Sequence, residues 1–249
     1  MKFHSIAAAA AISLAFSAHA QAAEIVVYGT VAAKAVLQEL APAFEHDSNN
    51  KLTLRIATTG ELKEAIEKGA TFDVAILTSG ALDDLIKQGK LNPASKVDVA
   101  KSGVGVAVKK GAPVPIIATS EQFKAALLAA KSIAYSAQGA TGPTIKKVFE
   151  HYGIADEMKA KTVIVSKTTA PEAVGLGQAE MGFTQVSEIL DAKGAQLAGP
   201  LPADVQVYSA FAAAASNSVK DPAAVQAFIA ALTTPAAKAL LKAKGLVPN

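Results

Sequence analysis

Residues 54–77, LRIATTGELKEAIEKGATFDVAIL, contain a complete strand, turn, helix and second strand. Leu62, Ala65 and Ile66 fall at i, i+3 and i+4, which predicts a helix opening at Glu61 with one apolar face. Gly69 ends it, and residues 73–77 start the next strand. Two strands joined through a helix run parallel, and a parallel sheet needs helices on both faces. The turn Thr58-Thr59-Gly60 places small hydroxyls and a glycine beside the unpaired N–H groups of a helix start. The macrodipole favours negative charge there, so such a turn can hold an anion.

The same unit recurs along the chain. Residues 24–28, EIVVY, form a near-continuous apolar strand, and Val36, Leu37, Leu40 and Phe44 stripe the helix that follows. Ser79 is the expected N-cap of a helix carrying Leu82, Leu85 and Ile86. Further strands are expected at 104–108, 132–135, 162–166 and 181–184, and the alanine-rich segment 206–216 reads as extended. Helices are expected from about Glu121, from Pro143 with Ile145, Val148, Phe149 and Tyr152 on one side, and after Pro171. Asp221-Pro222 and Thr234-Pro235 open two closing helices, each an N-cap residue followed by proline. Strands alternating with helices of about ten residues indicate an α/β, doubly wound architecture. In such sheets ligands sit beyond the carboxyl ends of the strands.

The first 22 residues read as an export signal and not as part of the fold. Lys2 gives the positive start, residues 6–16 are apolar but too short to span a bilayer, and Ala20-Gln21-Ala22 fits small-x-small cleavage. The mature chain is then expected to begin at Ala23, in the periplasm. The sequence has no cysteine, which excludes disulfides, thiol chemistry and a lipidated anchor. Net charge is +3, with lysines scattered and a single arginine, Arg55. No basic block alternates with aromatics, so nucleic acid is not an expected partner. His46 and His151 stand alone, and no P-loop, G-x-G-x-x-G or G-x-S-x-G pattern occurs, so no metal or cofactor is implied.

Four strand-to-helix turns share the chemistry of the first: Gly29-Thr30, Thr58-Thr59-Gly60, Thr141-Gly142 and Lys167-Thr168-Thr169. Any one of them is equally explained as ordinary capping. Four in one chain can converge on a single crevice. Lys34 and Lys167 lie in or near these turns and could add charge, although a lysine is usually a solvated surface group. Arg55 could fork a carboxylate or simply cover a sheet edge.

With these turns in place, the chain resembles the type II periplasmic solute-binding proteins, near their molybdate-binding branch. IVVYGTVAAKAVLQELAPAF, ATTGELKEAIEKGATFDVAI and NSVKDPAAVQAFIAALTTPAAKALLKAKGLVP carry the likeness, which spans nearly all of the mature chain. The resemblance implies two lobes, each a mostly parallel sheet flanked by helices, joined by crossing strands at 104–108 and 206–216. Lobe one would be residues 23–104 with 212–249, and lobe two residues 105–211. It implies ligand contacts at Gly29, Thr30, Lys34, Thr58, Thr59, Gly60, Thr141, Gly142, Lys167, Thr168 and Gln185. Where the family has a first-turn serine and a late tyrosine, this sequence has Ala32 and Gln185.

GFTQVSEIL and the following GPLPADVQ resemble a side branch close to the aconitate isomerases, exported enzymes of the same fold. Two functions are therefore expected as alternatives. One is a monomeric capture protein that hands a small anion, carboxylate or oxyanion, to an ABC-transporter membrane component. The other is an isomerase that shifts a double bond in a tricarboxylate, with Glu188, Lys167 and Tyr28 as candidate catalytic groups.

Overall fold

The computed structural model describes residues 22–249 other than 138, 140 and 167. β1 (Glu24–Thr30), β2 (Lys51–Ala57) and β3 (Val74–Thr78) run parallel in the order β2-β1-β3. Their crossovers are α1 (Lys34–Ser48), entered through a 3-10 turn at Val31–Ala33, and α2 (Thr59–Glu67). α1 stops at Asn49, which takes the left-handed conformation at φ 56°. α2 starts two residues before Glu61. The Thr58 side chain accepts from the Glu61 N–H, and the Glu61 carboxylate accepts from the Thr58 N–H. Glu61 is thus the third helical residue of a capping box. α3 (Ser79–Lys87) likewise begins at Ser79, with Thr78 in the cap position.

β4 (Val97–Lys109) is far longer than its apolar run at 104–108, because it belongs to two sheets. Residues 97–103 pair antiparallel with β9 (Tyr208–Ala215), which also pairs with β3. From Val104 onward β4 pairs with β7 (Met181–Gln185) and β8 (Ala195–Pro200). β5 (Ile133–Ser136) and β6 (Thr162–Val165) complete that second sheet, parallel to one another and to β7. β10 (Val247–Pro248) pairs with β4 at Ala100 and Lys101. Each sheet is therefore mixed: a parallel set of three strands, with antiparallel partners at the crossing.

The helices α4 (Ser120–Ala129), α5 (Gly142–His151), α6 (Ala155–Lys161), α7 (Ala170–Gly175) and α8 (Val186–Asp191) accompany the second sheet. α9 (Pro222–Ala231) and α10 (Pro235–Ala243) return to the first, capped by Asp221 and Thr234. α6, α8, β8 and β10 are short and carry no long apolar period, so pattern alone does not announce them. Among the described residues no single helix is long and apolar enough to cross a membrane. The apolar faces of α9 and α10 are spent on Val225, Phe228, Ile229 and Leu241 in the core.

Both faces of the first sheet are covered, which explains its continuous apolar strands. Ile25, Val27, Phe211 and Ala213 point to one cluster with Leu37, Phe44 and Phe228. Tyr28, Ala212 and Ala214 point to the other with Leu62, Ile66, Leu82 and Leu85. Alanines are weak strand formers, but Ala212, Ala213, Ala214 and Ala215 of β9 are buried between β3 and β4.

Gln206 ties the two crossing segments together. Its Oε1 accepts from the Val104 N–H at 2.9 Å and the Val207 N–H at 3.0 Å, and its Nε2 donates to the Val104 carbonyl at 3.0 Å. Gly103 makes room, since a Cβ there would stand 3.1 Å from Gln206 Nε2 and 3.2 Å from the Tyr208 ring. Gln206→Leu leaves the buried Val104 N–H without this partner. It should cost about 1–3 kcal/mol, read as a fall of several degrees in melting temperature at roughly 2–4 °C per kcal/mol.

Candidate functional site

The parallel strands of the two sheets aim their carboxyl ends at one enclosed cavity of about 60 Å³, room for roughly four to six ordered waters. Thr30, Val31 and Ala32 reach it from the end of β1, and Thr58 and Thr59 from the end of β2. Phe211 of β9 closes that side. Ser136 ends β5 and Gly139 follows it, Ser166, Thr168 and Thr169 follow β6, and Thr141 stands at the start of α5. Phe183, Thr184 and Gln185 of β7 and Glu188 of α8 make the remaining wall.

Hydroxyls and helix starts dominate this lining, and neither lysine nor arginine is among the described residues that form it. Some of the hydroxyls are already committed. Thr58 caps α2 and donates to Glu61 at 2.8 Å, while Thr169 caps α7 in a second capping box. Thr59 donates to the Thr30 hydroxyl at 3.2 Å. Gln185 is fully buried, and its Nε2 lies 3.2 Å from both the Thr141 and Ser209 hydroxyls. Its Oε1 has no partner. An unsatisfied buried amide oxygen on the cavity wall is costly unless a bound molecule meets it.

Glu188 is the one ionisable side chain in the described lining. As a residue it is partly buried, but its carboxyl is deeply enclosed, and its Oε2 accepts from Thr184 Oγ1 at 2.5 Å. Burial pushes the carboxyl up to about 7, against the opposing effect of the Thr184 hydrogen bond. A group poised there can hold or release a proton near neutral pH. Hydroxyl donors, helix starts and a single protonatable acid suit a small anion.

A profile of the bacterial extracellular solute-binding proteins matches residues 25–247. The chain belongs to this family. Its curated relatives include the aconitate isomerase of a Pseudomonas species, 29% identical over 218 residues and covering 85% of this chain and 83% of that one. The molybdate-binding protein ModA of Azotobacter vinelandii is 28% identical over 233 residues, covering 91% and 90%. Among solved structures, the periplasmic molybdate-binding protein of Azotobacter vinelandii superposes with a TM-score of 0.77 at 22% identity over 90% of this chain and 98% of that one. The sulfate-binding protein SubI of Mycobacterium tuberculosis superposes with a TM-score of 0.73 at 14% identity, covering 91% and 87%. At these identities the structures share the fold. The family is one of extracellular solute-binding proteins, which supports export; residues 1–21 lie outside the described ones.

In this solute-binding protein Thr30, Thr58, Thr59, Thr141, Thr168, Gln185 and Glu188 come together at the cavity. Other expected residues do not. Tyr28 packs in the apolar cluster of α2 and α3 and its hydroxyl accepts from Arg55 at 2.9 Å, so it cannot serve the cavity as an acid. Arg55 lies over that ring, 5.0 Å from its centroid, and not over a ligand. Gly29 faces the core, where a Cβ would meet Leu37 at 2.5 Å. Lys34 bonds Asp191 of α8 at 3.0 Å and lines an outer groove, so its charge is already paired. Gly60 lines an adjoining shallow groove with Ser79 and Ser209. Gly142 lets α5 start close to β5: a Cβ would stand 2.7 Å from the Ser136 carbonyl. Lys167 lies outside the described residues.

Sequence reasoning overlooked Ser136, Ser166 and Thr184 as lining residues. The first two stand at the carboxyl ends of parallel strands, the signal that would have found them.

Two outcomes follow for variants. Gly142→Ala forces the Ser136–Ala137 loop to shift and should cost about 1–3 kcal/mol, seen as a lower melting temperature. Glu188 binds a proton in the folded state where the unfolded chain, near 4.5, has lost it. Its contribution to stability therefore falls as pH rises from about 4.5 through 7, by on the order of 3 kcal/mol. Unliganded Glu188→Gln should melt above the parent at pH 8 and lose that advantage near pH 4.5, the difference between the two curves isolating this group.

Proposed function

We propose that this solute-binding protein captures a small carboxylate anion in the cavity and delivers it, as a monomer, to the membrane component of an ABC-type importer. The two lobes, residues 23–104 with 212–249 and residues 105–211, would close over the ligand about the crossing segments near Val104 and Gln206. The observation that carries the reading is the wall itself: uncharged hydroxyl donors and helix starts, with the acid Glu188 among them. Thr30, Thr59, Thr141, Thr168 and Gln185 would hold the anion, and charge neutralisation would come from oriented N–H and O–H groups.

A carboxylate is favoured over molybdate by the side chains present. Ala32 offers no hydroxyl at the first turn. The volume suits a short carboxylate as the lobes stand, and a six-carbon polycarboxylate needs them further apart.

Melting temperature tests the ligand class. A ligand at about a hundred times its dissociation constant adds roughly 2.7 kcal/mol, or about 5–10 °C for a chain of this size. Oxalate, malonate, succinate and the aconitates should include compounds that do this, while molybdate and tungstate do little. A large shift with molybdate alone would overturn the carboxylate assignment.

Glu188 favours a second reading, isomerisation of aconitate. It would take a proton from the carbon α to a carboxylate and return one at the far end of the three-carbon allylic system, so that the double bond moves by one bond. The neighbouring hydroxyls would stabilise the charge that develops on the carboxylate. Ultraviolet absorbance of protein mixed with cis- or trans-aconitate should then drift from both sides to one equilibrium mixture, and Glu188→Gln should stop it. No drift over hours at micromolar protein, with the aconitates still raising the melting temperature, leaves the capture protein alone.

A further inference from the structure

Glu188 borders two spaces. It lines the enclosed cavity, and it also lines an open surface groove of about 460 Å³. Val31, Thr168 and Thr169 are the other residues common to both walls, so one layer of side chains separates the cavity from solvent here. Within that layer Glu188 is the titratable member.

Among the described residues, the charged groups around it are engaged elsewhere or stand in the groove. On its own helix Asp191 pairs with Lys34 of α1 at 3.0 Å. Glu172 of α7 and Lys193 after α8 line the groove. β7 and β8 carry no ionisable residue, and β4 meets α8 around Gly105, with Lys101 and Lys109 to either side. Lys244, next to the Gly245 that abuts Val186 and Leu190, is bonded to Glu39 at 2.6 Å. The partner of Glu188 itself is the Thr184 hydroxyl.

Charge then decides what happens on binding. An ionised Glu188 beside an ionised ligand costs Coulomb energy at short range in a weakly polarisable site. A protonated Glu188 turns the same contact into a hydrogen bond donated to the anion. The carboxyl already titrates near neutrality before any anion arrives, and the anion's charge shifts it further toward the acid form.

We infer that Glu188 is a proton port: anion capture draws one proton from the surface groove onto its carboxylate, and the resulting O–H donates to the bound anion. An O–H bond forms on Glu188 at the expense of a solvent or buffer acid, and no bond in the ligand breaks. This rests on reading the cavity as an anion site. It ranks ligands by pH, so that fully ionised anions are held more weakly as the medium becomes alkaline.

The test is calorimetric titration at about pH 7.5 and 8.5, where simple carboxylates are fully ionised, in buffers of differing ionisation enthalpy. The probe is whichever of oxalate, malonate, succinate, cis-aconitate or trans-aconitate shifts the melting temperature most, with molybdate run beside it. Binding should take up between half and one proton per site, and the dissociation constant should rise up to tenfold over that unit of pH. Glu188→Gln, which can keep the Thr184 hydrogen bond, should show neither effect while melting cooperatively. In the ligand-free protein, a protonated-carboxyl infrared band present at pH 6 should vanish in the same variant. Binding without proton uptake, uptake that persists in Glu188→Gln, or absence of the band would overturn the port. Proton-linked binding of molybdate with no response to any carboxylate would overturn the carboxylate reading and uphold the port.

Discussion

β4 satisfies one backbone in two sheets, and the rest of the molecule follows from that. Its first half is laddered to β9 and its second half to β7 and β8, with the change of partner at Gly103–Val104. A strand cannot change partners without leaving its neighbours' edges to something else. Gln206 fills that role, giving Val104 both a donor and an acceptor where the second crossing segment passes. The two parallel strand sets are thereby held with their carboxyl ends facing, and those ends are where helix starts and hydroxyl turns collect.

The cavity that results is chemically one-sided. Hydroxyls and unpaired N–H groups supply favourable interactions for an anion without introducing a mobile counter-charge. Among the described residues, two cations that could have served are used outside it: Lys34 bridges to Asp191, and Arg55 covers Tyr28. Glu188 is the exception to the neutral lining among the described residues, and desolvation makes it an acid rather than a fixed negative charge. One side chain thus carries both the electrostatic conflict and its resolution.

The fold alone does not separate capture from catalysis. A molybdate-binding protein and an aconitate isomerase cover the chain almost equally well and at nearly equal identity. What differs from one such protein to the next is a handful of side chains around a shared crevice. Here Ala32, Gln185 and Glu188 meet at the cavity wall.

Much of this was legible before any coordinates. The apolar periods, the glycine stops and the proline-marked helix starts define the α/β alternation, because local sterics and burial on both sheet faces leave few other choices. The turns at Thr30, Thr59, Thr141 and Thr168 were readable as candidate anion contacts for the same local reason. What remained out of reach depended on distant partners. Nothing near Lys34 in the chain indicates Asp191, and nothing near Tyr28 indicates that Arg55 and Phe72 will enclose it. The acidity of Glu188 is likewise invisible in its neighbours, since it arises from being enclosed where α8 meets the cavity wall. The sequence by itself determined the elements and the turns, which are set by residues a few positions apart. Only the tertiary structure decided which of those turns share a cavity and what charge it contains, because burial and ion pairing act between residues far apart in the chain.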